Sequence, residues 1–200
     1  MHDNKWGQLG IVNNLSELNG KTIAIVGFGR IGERIAKIAK AFDMKVIVLR
    51  HNSPISKNPS VDDIYDQKSL FKLLDRADFV INCLPLSSGT RNFFDKSLFQ
   101  KMKNTTYFIN IGRGGTVVEN DLIHSLKNGI IAGAGLDVFE EKPLSKYSEL
   151  WELKNVIITP HYAGWSPKYI DRMIDICCDN LRAYNRNKLM PTLITHKDQF

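Results

Sequence analysis

Cysteine is scarce in this chain. Three residues, Cys83, Cys177 and Cys178, show neither the spacing of a disulfide framework nor that of a thiolate metal site, so no metal is expected. The first residues, MHDNKWGQLG, contain no signal-peptide apolar core, and no apolar run nears the ~20 residues that span a bilayer. The expectation is a cytoplasmic chain whose thiols stay reduced and which has no membrane partner. Internal repeats and low-complexity tracts are also lacking. Charge of one sign is in slight excess, with a net of +6, but the basic residues are scattered. A solvated basic surface is therefore expected, and nucleic-acid binding is not.

What is present is a globular composition, 43% hydrophobic, organised around Thr22 to Gly32, TIAIVGFGRIG. Thr22 to Val26 is an apolar, β-branched run that reads as a strand buried on both faces. Gly27, Gly29 and Gly32 follow at G-x-G-x-x-G spacing, and Ile31, Ile35, Ile38 and Phe42 then recur at helical spacing. Strand, glycine turn and helix together are the context of a dinucleotide-binding fingerprint. Gly27 would allow the tight turn, Gly29 the approach of a pyrophosphate, and Gly32 close packing of helix on strand. The helix start would offer N–H groups to the phosphates.

Lys45 to Leu49 reads as the second strand, and Arg50 follows, 18 residues after Gly32. In the fingerprint an acidic residue at this strand end grips the ribose 2′-hydroxyl of NAD. A guanidinium there suits the 2′-phosphate of NADP, which makes NADP the preferred cofactor and NAD the alternative. Residues 51–63, with Pro54 and Pro59, read as a loop. Asp66 and Asp95 are placed to cap short helices. Further strands are expected at 78–82, 105–111, within 130–138, and at 156–159. A helix is expected over 120–128 with Gly129 as its stop. Ser166-Pro167 reads as the cap and first turn of a long last helix with Ile170, Met173, Ile174, Cys177, Leu181 and Tyr184 on one face. Alternating strands and helices predict an α/β, doubly wound parallel sheet of Rossmann type. The expected division is an N-terminal arm over 1–19, carrying Trp6, a dinucleotide-binding domain over 20–165, and a C-terminal helix and tail over 166–200. Segments after the strands should line one edge, bringing Arg113, Asp137 and His161 together.

Three stretches, VGFGRIG, NIGRGGTVVENDLIHSLKNGIIAGAGLDVFEEKPL and LWELKNVIITPHYAGW, resemble the D-isomer-specific 2-hydroxyacid dehydrogenase family in order and spacing. The resemblance implies a nucleotide-binding domain without the family's substrate domain. It also implies hydride transfer between NAD(P) and small 2-oxo or D-2-hydroxy acids, and a homodimer formed through this domain. By position it places Gly27, Gly29, Arg30 and Ile31 at the pyrophosphate, and Pro85 and Thr90 in a loop along the cofactor. Asp137 falls near the nicotinamide carboxamide. Arg113 matches the substrate-binding arginine and His161 the acid/base that exchanges a proton with the substrate oxygen. Chemistry agrees with these residue types, since a guanidinium binds a carboxylate bidentately and imidazole serves as acid and base.

The sequence departs from the family pattern at Lys142, which precedes Pro143 where the family has a glutamate that pairs with the histidine. A like charge disfavours imidazolium, so Lys142 is expected to impair ketoacid reduction. The alternative function is a catalytically inactive nucleotide-binding and dimerisation module.

Overall fold

The run Thr22–Val26 has no polar face, so it needs cover on both sides, and the fold provides it in the interior of a parallel sheet. In a computed structural model, residues 16–50 and 58–193 are described. Seven strands, β1 (Thr22–Val26), β2 (Lys45–Leu49), β3 (Asp63–Tyr65), β4 (Phe79–Asn82), β5 (Tyr107–Asn110), β6 (Gly133–Leu136) and β7 (Val156–Ile158), lie in the order β3-β2-β1-β4-β5-β6-β7. Every pairing is parallel. The chain reverses its direction of travel across the sheet between β1 and β4, which places the ligand crevice at their carboxyl ends. Helices α1 (Arg30–Lys40), α2 (Leu70–Arg76), α3 (Lys96–Phe99) and α4 (Glu119–Lys127) connect the strands.

The two faces of the sheet carry separate cores. One is built on Phe94, Phe99 and Phe108 with Leu73, Leu74 and Leu126. The other packs Ile23, Ile25, Val46 and Val48 against Ala36 and Ala39 of α1. Small residues on that helix face let it lie close to the strands. The expected caps form: Asp66 accepts from the Ser69 N–H and Asp95 from the Leu98 N–H. Gly129 ends the fourth helix segment at φ +62°.

Four expectations need correction or placement. The loop expected over 51–63 ends in a strand, β3, pinned by β2 and by the Arg50 N–H on the Tyr65 carbonyl. It is a short edge strand with Ile64 exposed, and so gives no apolar run to read. Ser166-Pro167 does not cap the last helix. The Tyr169 N–H bonds to the Ser166 carbonyl, closing a turn, and α5 (Tyr169–Asn185) starts after Lys168. Trp6 and the arm before residue 16 lie outside the described residues, as does the segment 51–57. The apolar face of α5 is present, but Ile170, Met173, Ile174, Leu181 and Tyr184 are exposed rather than packed on the domain.

Candidate functional site

Backbone pairing continues one residue past most strands and sets the order of the site loops. Arg50, Gly27, Cys83, Ile111, Asp137 and Thr159 each donate an N–H to a neighbouring strand's last residues, so the loops they open stand side by side on the carboxyl edge. Gly27 sits at φ +94°, a conformation that side chains resist, and a Cβ there would lie 2.9 Å from the Cys83 carbonyl carbon. Gly29 is exposed, and a Cβ on it would meet no atom within 4 Å, which leaves its backbone open to a phosphate. Gly32 is buried, and a Cβ there would stand 2.7 Å from the Gly27 carbonyl oxygen. Turn, open backbone and close helix are thus all present at the start of α1, where the first-turn N–H groups lack intrahelical partners. The residues present fit a dinucleotide pyrophosphate.

The other candidates around this turn differ in what they touch. The Arg30 guanidinium donates to the Pro191 carbonyl at 3.2 Å, so the C-terminal segment lies against it. Ile31 is 60% exposed on the outer side of α1. Arg50 is half-buried at the end of β2, next to β1. Thr90 braces its own loop: its hydroxyl donates to the Pro85 carbonyl at 2.5 Å and accepts from the Ser87 N–H at 2.8 Å. Cys83 lies at the same edge, but burial pushes its thiol up to about 12, which makes it a poor nucleophile.

Arg113 stands on a buried polar frame that sequence reasoning missed. Asn82 and Asn110, the last residues of β4 and β5, are register partners. The Asn82 Nδ2 donates to Asn110 Oδ1 at 3.0 Å and to Thr116 Oγ1 at 2.7 Å. Thr116 Oγ1 donates in turn to the Arg113 carbonyl at 2.6 Å, and the Gly112 N–H bonds Asn110 Oδ1 at 3.2 Å. A buried network satisfied in this way fixes its members in one geometry. The available signal was an asparagine closing each of two apolar strands, VIN and FIN. The Arg113 side chain is exposed and spends one donor on the Gly112 carbonyl, 2.8 Å away. The rest of its five-donor fork remains for an anion.

His161 has φ +62°, an uncommon conformation for a residue with a side chain. Asp137 holds it there. Asp137 Oδ1 accepts from Thr159 Oγ1 at 2.6 Å and the Tyr162 N–H at 2.8 Å, and Oδ2 accepts from the Ala163 N–H at 3.0 Å. Burial alone would raise this carboxyl. The Thr159 hydroxyl and the two N–H groups, with His161 adding its charge, hold it below the ordinary carboxylate range. Asp137 is only 4% exposed, and its contacts belong to the His161 loop rather than to open space. Lys142 reaches the same loop, with Nζ 3.3 Å from His161 Nδ1. The charges of Glu140 and Glu141 act on Glu119. Glu119, at the start of α4, accepts from the Glu140 N–H, and burial followed by the Glu140 and Glu141 charges raises its carboxyl.

Known proteins match most of the chain. Residues 1–163 match the family described as "D-isomer specific 2-hydroxyacid dehydrogenase, NAD binding domain". A glyoxylate reductase of Pyrococcus furiosus is 40% identical over 178 residues, covering 89% of this chain and 52% of the relative. A probable 2-ketogluconate reductase of Dictyostelium discoideum is 45% identical over 176 residues, covering 86% and 51%. The chain thus spans about half the length of the curated relatives it matches. Among solved structures, an NADPH-dependent glyoxylate/hydroxypyruvate reductase of Sinorhizobium meliloti, in complex with NADP and sulfate, superposes with a TM-score of 0.84 at 29% identity, covering 96% of this chain and 63% of that one.

Proposed function

This chain belongs to the D-isomer-specific 2-hydroxyacid dehydrogenase family, and from that membership we propose that it is the cofactor-binding part of an NAD(P)-dependent reductase of small 2-oxo acids. The observation that carries the reading is the shared edge: the Gly27–Gly32 turn, the Arg113 turn and the His161 loop all open at the carboxyl ends of one parallel sheet. The nicotinamide, when bound, supplies or accepts the hydride. Gly29 and the first turn of α1 would hold its pyrophosphate, and the remaining Arg113 donors would take the substrate carboxylate. His161 would exchange a proton with the substrate oxygen. Arg50, at the end of β2, would select the 2′-phosphate of NADP. The three cysteines are unpaired, in keeping with a cytoplasmic enzyme. Among the described residues no helix is long and apolar enough to cross a membrane.

Titration of the chain with NADPH and NADH, followed by energy transfer from tryptophan, tests the cofactor. NADPH should bind roughly tenfold tighter, the size of one good charge-assisted contact, and R50A should erase the difference. Tighter NADH binding would refute the role of Arg50, and no binding of either would refute the nucleotide site.

The second reading, a nucleotide-binding and dimerisation module without turnover, draws support from Lys142 beside His161. It also draws on Ile31, Ile38 and Phe42, which are exposed along α1 and just past its end. A homodimer is proposed under either reading, and sedimentation at micromolar concentration should give the dimer mass. A monomer mass rejects it. Steady-state reduction of glyoxylate with NADPH separates an enzyme from a module.

A further inference from the structure

Lys142 Nζ and His161 Nδ1 are 3.3 Å apart, across 19 residues of sequence. An ammonium has three donors and no acceptor, so this contact forms only if Nδ1 brings a lone pair. A neutral imidazole with a lone pair on Nδ1 carries its proton on Nε2. The backbone on either side of the ring is tied down. His161 is held at φ +62°, with its N–H on the Thr159 carbonyl, and both neighbouring N–H groups, of Tyr162 and Ala163, are bonded to Asp137. Asp137 therefore offers its carboxylate oxygens to the loop backbone and the Thr159 hydroxyl, and the ring finds Lys142.

We propose that Lys142 is a positioning residue for His161: it donates to Nδ1 and fixes the Nε2–H tautomer of the neutral ring, with a fixed cation behind it. For its consequence this rests on the 2-oxo acid reading. A bound carbonyl oxygen would meet Nε2–H as a hydrogen-bond donor backed by the Lys142 charge, and because a neutral ring has no acidic proton to give up, the proton for the product oxygen would then come from solvent. The arrangement is the reverse of a carboxylate partner, which accepts from Nδ1–H and leaves the lone pair on Nε2.

The readout is the ¹⁵N spectrum of the His161 ring in the 200-residue chain, assigned against His161→Gln and recorded above pH ~8, where imidazoles are neutral. Nδ1 should show a pyridine-type signal and Nε2 a pyrrole-type signal. Lys142→Arg, which keeps a donor, should preserve this pattern. Lys142→Glu, which offers only acceptors, should exchange the two signals. An Nδ1–H tautomer in the parent chain would overturn the proposal, as would a loss of the pattern in Lys142→Arg or no exchange in Lys142→Glu. Lys142 is exposed, so these variants leave the core untouched. The measurement needs no cofactor. If the signals exchange as expected while NADPH fails to bind, the dehydrogenase reading falls and the tautomer assignment stands; the opposite pair of results separates them the other way.

Discussion

Gly114→Ala should lower the stability of this domain by at least about 3 kcal/mol, a large part of the ~5–15 kcal/mol available to a domain. A Cβ at residue 114 would lie 1.8 Å from the Phe139 carbonyl oxygen, 2.0 Å from its carbon and 2.6 Å from the Glu140 nitrogen. All three are backbone atoms, so no rotamer change relieves the overlap. Phe139 is itself buried in the larger core, and Glu140 is tied to Glu119, so the opposing segment cannot simply retreat. The turn on the other side is fixed as well, by Thr116 on the Arg113 carbonyl and Asn82 on Thr116. Relief would have to separate the Arg113 turn from the chain leading to Lys142, and with it disrupt the site. Denaturant unfolding measures the loss. Gly29→Ala is the control, because its Cβ meets nothing within 4 Å. That variant should unfold within about 1 kcal/mol of the parent, since it gains no clash, yet bind NADPH more weakly. A Gly114→Ala chain as stable as Gly29→Ala would mean that residues 139–140 are freer to move than their packing indicates.

These glycines differ in how far a sequence pattern marks them. Gly27, Gly29 and Gly32 announce themselves because their spacing follows an apolar strand and opens a helix. The strands β1, β2 and β4 are legible for the same reason: burial on both faces requires a continuous apolar run. Their parallel order followed from the helices between them. Gly114 carries no such local mark, because the atoms that exclude a side chain there come from residues 139 and 140. Asn82 and Asn110 look like ordinary strand ends until register sets them side by side. The short β3 and the start of α5 carry no residue pattern of their own: pairing with β2 makes the first, and the turn from Ser166 to Tyr169 moves the second past Lys168. Lys142 was conspicuous as a charge out of place, but only the fold shows which ring nitrogen it faces.

Asp137→Asn should release the His161 loop while leaving the sheet folded. The amide oxygen can still accept from Thr159 and Tyr162, but the amide nitrogen would face the Ala163 N–H, donor against donor. Leaving a partly buried donor unsatisfied and replacing charge-assisted bonds by neutral ones costs on the order of 1–3 kcal/mol. The loop is where that loss falls, because Asp137 contacts are what hold His161 in a conformation that residues with a Cβ avoid. Amide exchange at Tyr162 and Ala163 should accelerate strongly at pH 7, while exchange in β1 and β4 stays slow. Acid gives an independent check of sign. The folded Asp137 carboxyl lies below its ordinary range, so its contribution is fully present above the unfolded value, ~3.9, and is lost as pH falls through the folded value. The parent loop should therefore lose protection in acid, and the difference between parent and Asp137→Asn should shrink there. Equal protection of the two chains at pH 7 would show that something other than Asp137 sets the backbone of His161. A gap that persists unchanged in acid would show that geometry, rather than the carboxylate charge, holds the loop.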